Sequence, residues 1–499
     1  MPYFVWLIAL PLIASPLVYV AGRLSDADWP LARWLSLAAL VVTWVPWVQA
    51  ALALYRDGPA TYVVGTTALR FDGVSLVLSA VALGLAGMAA LFSLRDVAGE
   101  PGEEKYHALL VASVGVMVGL GCAQDLFNLW LWFEALAVTT FLLVAFYSDQ
   151  PGSLEAGVKY LVQSAAGSAL VLLGVALVLM QTGTLDLAEV AKAASTASAP
   201  GLLAAIGVLV VGFGVKAALV PLHTWLPDAH AQAPSGISAM LSGVVIAAGL
   251  VAMLRAVAPL AARADLAPGV GGLFMALGAI NMLYGNLLAL RQTKVKRLLA
   301  YSSLSHIGYM LFGFGIALYV GQPGAADGSF FHLLNHGLMK GLAFLAAGAL
   351  VYALQTGPGH HAPLMVDDLA GAAQRYPLVA LSLSVAVLGL GGLPPLAGFA
   401  SKWQIFVAGF VAHNVLIAAL VAFAALNSVL SLAYYAPLIN RMYRLQPSEA
   451  VQHGRALPPV MAVPLVAMSL GVVAIGLWPG LVQGLVSPAG AALLAAVAH

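Results

Sequence analysis

The sequence predicts an all-α polytopic membrane protein of about 14 transmembrane helices, with two inverted five-helix repeats that each hold a broken helix. Three observations lead there. Of the 499 residues, 62% are hydrophobic and only 8% are charged, against roughly 25% charged in soluble domains. Turn and charge clusters divide the chain into 14 apolar stretches, each near the ~20 residues that a spanning helix needs. Finally, the seventh stretch carries Lys216 and is interrupted at Pro221, and the twelfth carries Lys402 and is interrupted at Pro394 and Pro395. These two lie five spans apart. An odd offset inverts a repeated unit across the membrane, a plan on which transporters place sites at broken helices.

In chain order the spans are expected at 3–22, 34–55, 73–94, 107–123, 126–147, 158–181, 201–221, 235–255, 268–290, 298–319, 328–354, 377–412, 414–437 and 460–485. The opening MPYFVWLIALP lacks a basic n-region and a convincing cleavage site, so it is expected to remain as the first span. The stretch 377–412 is too long for one crossing unless Gly391-Gly392-Leu393-Pro394-Pro395 interrupts it. Spans 4–8 and 9–13 would be the two units. The expected divisions are an N-terminal three-helix segment (1–106), a first unit (107–255), a second unit (256–437) and a C-terminal helix segment (438–499).

Cations set the orientation. Numbering each loop by the span before it, the odd loops and their flanks hold thirteen lysines and arginines, from Arg23 and Arg33 through Lys294, Lys296 and Arg297 to Arg455. The even loops hold five: Arg56, Arg70, Lys192, Arg255 and Arg263. The odd loops are therefore expected in the cytoplasm and both termini outside it. Of the 21 cations this leaves three, Lys216, Lys340 and Lys402, that cannot reach an interface. Glu134, in LFNLWLWFEALAVTTF, is the one acid expected deep in a span.

Several function classes are excluded early. A net charge of +1 offers no basic surface for nucleic acid. The single cysteine, Cys122, cannot hold a zinc or iron–sulfur site by itself. Neither a dinucleotide-type GxGxxG nor a phosphate-loop motif occurs, so no bound cofactor is expected on this chain.

The intramembrane polar residues carry the functional signal, because a charge in hydrocarbon costs about 2.5–3.5 kcal/mol or more unless it faces protein or a water-filled cavity. A Glu134–Lys216 pair across two helices would lower that cost and, if it can separate, would act as a proton switch; the plain alternative is a static bridge. His332, His336 and Lys340, in FHLLNHGLMKGLAF, recur at i, i+4 and i+8 and so share one helical stripe. Imidazole titrates near pH 6.5 and can hand a proton on. Structural hydrogen bonding or a metal site are the other readings of the stripe; a metal would want a third ligand, and none lies nearby in sequence. Lys402 follows the second break as Lys216 precedes the first, with snorkelling to the interface as its alternative. His306, in RLLAYSSLSHIGYM, could link the stripes or bond a neighbouring serine. His223 and Asp228, after the first break, are possible relay groups but suit loop bracing as well.

At these same residues the chain resembles a known family. GVKAALVPLHTWLPDAHAQAPSGISAMLSGVV, KRLLAYSSLSHIGYM, FHLLNHGLMKGLAFLAAG and LGLGGLPPLAGFASKW resemble the antiporter-like proton-translocating subunits of NADH:quinone oxidoreductase (complex I) and the large subunits of Mrp-type cation/proton antiporters and membrane hydrogenases. The likeness runs over about 100–440. It implies a central hydrophilic axis on which Glu134, Lys216, His332, His336, Lys340 and Lys402 carry protons. It further implies a non-catalytic pumping subunit that works with other membrane subunits in the bilayer of a cell's inner (plasma) membrane. Three departures stand out. Where the family often has a lysine in the eighth span, this chain has Ala247. The loop usually written TDxKR is Thr293-Lys294-Val295-Lys296-Arg297, which puts an acid contact there in doubt. The second broken helix carries lysine where M-type subunits have glutamate, favouring an N-type or Mrp D-type relative. NSVLSLAYYAPLINRMY leans N-type, LFNLWLWFE leans M- or D-type, and the lack of a long lateral helix after span 14 argues against the L-type. The competing functions are Na⁺/H⁺ antiport on the same axis, a redox enzyme binding quinone or a metal, and a non-transporting structural subunit.

Overall fold

The computed structural model describes residues 2–25, 31–65, 67–354, 362–444 and 446–496. Its helices follow one another as α1 (Tyr3–Leu24), α2 (Leu31–Asp57), α3 (Gly73–Asp96), α4 (Glu103–Cys122), α5 (Leu126–Val144), α6 (Pro151–Thr182), the short α7 (Leu187–Ala194), α8 (Ala199–Lys216) and α9 (Trp225–Gln232). Then come α10 (Ser235–Met240) and α11 (Ile246–Val257), which a π-helical turn at Leu241–Val245 joins into one span. The remainder are α12 (Ala267–Ala289), α13 (Val295–Val320), α14 (Pro323–Leu354), α15 (Ala372–Arg375), α16 (Pro377–Gly391), α17 (Ala397–Val411), α18 (Val415–Arg444), α19 (Glu449–His453), α20 (Pro459–Leu477) and α21 (Gly480–Ala495). Among the described residues thirteen stretches are long and apolar enough to cross a membrane. The pair α16–α17 makes a further, interrupted crossing. This is a multi-pass membrane protein.

Local chemistry sets the helix ends. Asp72 and Asp125 cap α3 and α5 by accepting from the backbone N–H of Ser75 (3.0 Å) and Asn128 (2.7 Å), as N-caps do. Gly183 and Gly321 close α6 and α13 in the left-handed conformation. The sixth span starts at Pro151, well before the expected 158, because Glu155 and Lys159 continue the helix as an i, i+4 ion pair of 2.7 Å. The seventh helix ends at Lys216, five residues short of the expected 221, since the chain is already non-helical at Ala218. The fourteenth span also differs. It stops at Leu477, and after Pro479 the separate α21 lies across the ends of α2, α3 and α14. There Tyr55 donates to the Gly484 carbonyl (2.8 Å), and Asp327 meets Gly490. A small antiparallel hairpin, β1 (Ala60–Val64) and β2 (Thr67–Phe71), connects α2 to α3 and was not expected.

The two units pack alike. In the first, α6 holds both halves of its broken span, α8 and α9; in the second, α14 holds α16 and α17. The neighbours α4–α5–α6 in one unit match α12–α13–α14 in the other. Within the second, Gly278 and Gly308 face each other so closely that a Cβ on either would fall within 2.7 Å of the other's carbonyl. That approach makes α12 and α13 one rigid wall. The centre of the molecule is the Ser235–Val257 span, fully enclosed, with α13 and α14 next to it at 89% and 78% enclosed; α2 and α20, at 28%, form the rim.

Candidate functional site

The first break places Lys216 at the last turn of α8, 1% exposed. Its Nζ donates to the Tyr160 hydroxyl at 2.9 Å and lies 4.6 Å from that ring's centroid and 5.7 Å from that of Phe133. Tyr160 is fixed in turn: it stacks on Trp225 at 3.9 Å and meets Thr140 Oγ1 at 2.8 Å. Trp225 donates to the Val215 carbonyl at 2.8 Å, tying α9 back to α8 across the break. The ammonium thus sits in an aromatic cage with one side-chain oxygen. The expected contact pair with Glu134 is absent among the described residues. Glu134 is only half-buried. It lies on the α5 stripe of Phe127, Leu131, Val138 and Leu142, each 44–47% exposed, which neighbouring helices leave open.

The second region is built differently. His332, His336 and Lys340 project from α14 as the spacing predicts, all 0% exposed. His306, from α13, meets His332 with Nδ1 and Nε2 3.0 Å apart, and the other nitrogen of His332 lies 2.9 Å from Ser401 Oγ. His306 also faces His336 with ring centroids at 5.3 Å. Lys340 donates to the Leu299 carbonyl (2.7 Å) and to the Ser302 hydroxyl. At the other end Lys402 donates to the Leu390 carbonyl, exposed by the break, and to Ser428 Oγ, both at 2.8 Å, with the Tyr309 ring 4.5 Å below it. His306, His332 and Ser401 are thus joined by direct contacts, with His336 stacked beside His306, Lys340 one turn from His336 and Lys402 next to Ser401 in the chain; neither His336 nitrogen is hydrogen-bonded among the described residues. Both nitrogens of His332 are engaged, and no group of three metal-type side chains comes together among the described residues.

Residues 123–428, more than half of the chain, match the NADH:quinone oxidoreductase/Mrp antiporter transmembrane family. The chain belongs to this family. It is 35% identical over 460 residues to the F(420)H(2) dehydrogenase subunit N of Methanosarcina mazei, covering 89% of this chain and 88% of the relative. It is 31% identical over 499 residues to the NADH-quinone oxidoreductase subunit N of Desulforudis audaxviator, covering 95% of each. A chain of the archaeal membrane-bound sulfane sulfur reductase has the same fold, with a TM-score of 0.87 and 29% identity over the whole of both chains.

The other residues of interest in this antiporter-like subunit divide between bracing and gaps. Asp228 accepts from Lys159 (3.1 Å) and Arg297 (2.8 Å). Arg297 thereby finds the acid contact that its own loop lacks, and Asp228 reads as a brace. His223 is buried beside the rings of Tyr284 and Tyr301. Asn281 of α12 holds the first break by accepting from the Val220 N–H at 2.8 Å. Ala247 is fully enclosed, and no polar side chain replaces the missing lysine. Between Ser242, which meets Ser303 at 2.6 Å, and Gly249, which touches Lys216, this span offers only Gly243, Val244, Val245, Ile246, Ala247 and Ala248. Sequence reasoning missed the π turn at Ser242, the caging by Tyr160 and Tyr309, the link through Ser401, and His230. The hydroxyls in YSSLSH and the tyrosines were visible as polar letters inside apolar spans; the π turn left no such letter.

Proposed function

We propose that this chain is a proton-translocating subunit of a complex I-type oxidoreductase, of the N type, and holds no cofactor of its own. The observation that carries this reading is the buried succession Lys340, His336, His306, His332, Ser401, Lys402. A static core would gain more from apolar packing than from several enclosed titratable groups. In the mechanism, Lys402 and Lys340 are the terminal proton carriers and the imidazoles pass protons between them. Lys216 acts through its charge: a change at Glu134 alters how firmly the ammonium is held in its cage, and that biases the protonation of the second unit. The open α5 face supports a partner subunit there, since a carboxylate facing hydrocarbon is costly until protein covers it. The odd loops face the cytoplasm of a plasma-membrane protein, and the divisions at 106, 255 and 437 bound the repeats.

The test uses inside-out vesicles that hold the assembled complex, with acidification read alongside electron transfer. Lys402→Ala, Lys216→Ala and Glu134→Gln should each abolish pumping while leaving the subunit inserted. Full coupled pumping in the Lys216 and Glu134 variants would overturn the mechanism. Acidification that depends on sodium would move the assignment to Na⁺/H⁺ antiport on the same axis.

A further inference from the structure

We infer that protons reach Lys340 from the odd-loop face through a polar cleft and His230, without passing Lys216; this rests on the proton-translocating reading above. The cleft, about 50 Å³ in volume, is lined by Asp96 at the end of α3, Gln232 and Ser235 on either side of the α9–α10 turn, and Lys294 and Lys296 at the start of α13. That volume holds a few water molecules. Lys296 lines the cleft together with Asp96, and its Nζ donates to the Ala233 carbonyl at 3.0 Å. One carboxylate oxygen of Asp96 is buried without a hydrogen-bond partner among the described residues.

Behind the cleft lies His230, 0% exposed, with neither ring nitrogen hydrogen-bonded among the described residues. Its ring lies flat on Phe344, centroids 4.5 Å apart and planes within 12°. Phe344 is one helical turn beyond Lys340 on α14. His230 thus packs on α14 one turn beyond Lys340, and three residues after it the Ala233 carbonyl accepts from Lys296, so the imidazole lies between the cleft and the α14 segment that carries Lys340. A purely structural position against Phe344 would favour an apolar side chain, because buried unbonded nitrogens are unfavourable. An imidazole is suited to transfer instead: one nitrogen takes a proton from cleft water, and the other gives its proton to the neutral Lys340 amine. The competing source is remote. Gly243 to Ala248, without a titratable side chain, separate Ser242 from the residue that touches Lys216.

In the assembled complex, His230→Phe keeps the stacking on Phe344 and removes both nitrogens. Pumping should fall on the order of tenfold or more. His230→Gln, which still donates and accepts but cannot carry a proton, should lose a similar share. In a Cys122→Ala background, Gln232→Cys should react with an impermeant thiol reagent from the cytoplasmic side only, and the adduct should block pumping. Lys340→Met separates the two readings. Normal pumping in that variant would sink proton transfer through this chain altogether. If Lys340→Met stops pumping while both His230 variants pump at the wild-type rate and the Gln232→Cys adduct has no effect, the route through His230 is overturned and the translocation reading stands.

Discussion

Both broken spans bury a lysine beside a tyrosine ring, yet Lys216 and Lys402 differ in what accepts their hydrogen bonds. Around Lys216 the partners are π faces and one phenol: Tyr160 bonds it, Phe133 flanks it, and Trp225 backs the tyrosine. Around Lys402 they are a freed carbonyl and a serine, with the Tyr309 ring 4.5 Å away, itself beside His306 and His332. An aromatic cage stabilises a cation, by about 2 kcal/mol or more when desolvated, but gives its proton few places to go. A chain of hydroxyls and imidazoles does the reverse. Under the proposed mechanism, one architecture repeated twice serves as a charge sensor in one half and a conductor in the other.

The strongest way to break this contrast is a double-mutant cycle on pumping rate. If the histidines act as one unit, His306→Ala and His332→Ala should each remove most of the activity, and the pair should do little further harm, a coupling of about 1–3 kcal/mol. Additive losses at His306 and His332 would mean that the succession is not a single path.

A second comparison concerns the tyrosines, read by the unfolding midpoint of the detergent-solubilised protein. Tyr160→Phe removes the one side-chain oxygen bonded to Lys216 among the described residues and should cost about 1.5–3 kcal/mol, the range for hydrogen bonds to charged groups. Tyr309→Phe leaves both acceptors of Lys402 in place and loses a 3.1 Å bond to the Ala424 carbonyl, worth about 1 kcal/mol. Equal losses would show that the Tyr309 hydroxyl, which bonds Ala424 and not Lys402, braces its site as strongly as the Tyr160 hydroxyl holds Lys216, and the two lysine sites would then be more alike than their geometry suggests.

How far the sequence reached depends on what signals itself as a lone letter. Lysines and histidines inside apolar runs are legible because hydrocarbon penalises them whatever the fold, and all of Lys216, Lys340, Lys402, His332 and His336 are enclosed as expected. The breaks were legible from proline. Partnerships were not: Glu134 and Lys216 were expected to touch because they are the scarce opposite charges, but helix rotation turned one to an open face and gave the other a phenol. Serine and tyrosine carry little penalty in a helix, so Ser401, Ser302, Tyr160 and Tyr309 could not be told from filler. His230 lies in a turn-rich stretch that reads as a loop, and only packing shows it enclosed against Phe344.

The smallest effects sharpen the comparison at the backbone of the breaks. Gly392 (φ 79°) and Ala218 (φ 54°) occupy the left-handed region at equivalent places in the two units. In Gly392→Ala, a Cβ would lie 3.0 Å from Ser428 Oγ and 3.2 Å from Lys402 Cδ, in a conformation that disfavours L-residues by about 1–2 kcal/mol. That variant should lower stability by at least this much and disturb the acceptors of Lys402. Ala218→Gly runs the other way. Relief of about 1–2 kcal/mol is opposed by roughly 0.4–1 kcal/mol from the freer unfolded chain and about 0.8 kcal/mol for one buried methyl lost. The net should lie within about 0.8 kcal/mol of zero, with the Asn281 clamp on this break intact. A loss above about 1 kcal/mol would show that the methyl packs more tightly than a single buried group. The first break would then be held by packing, whereas glycine makes the second one possible.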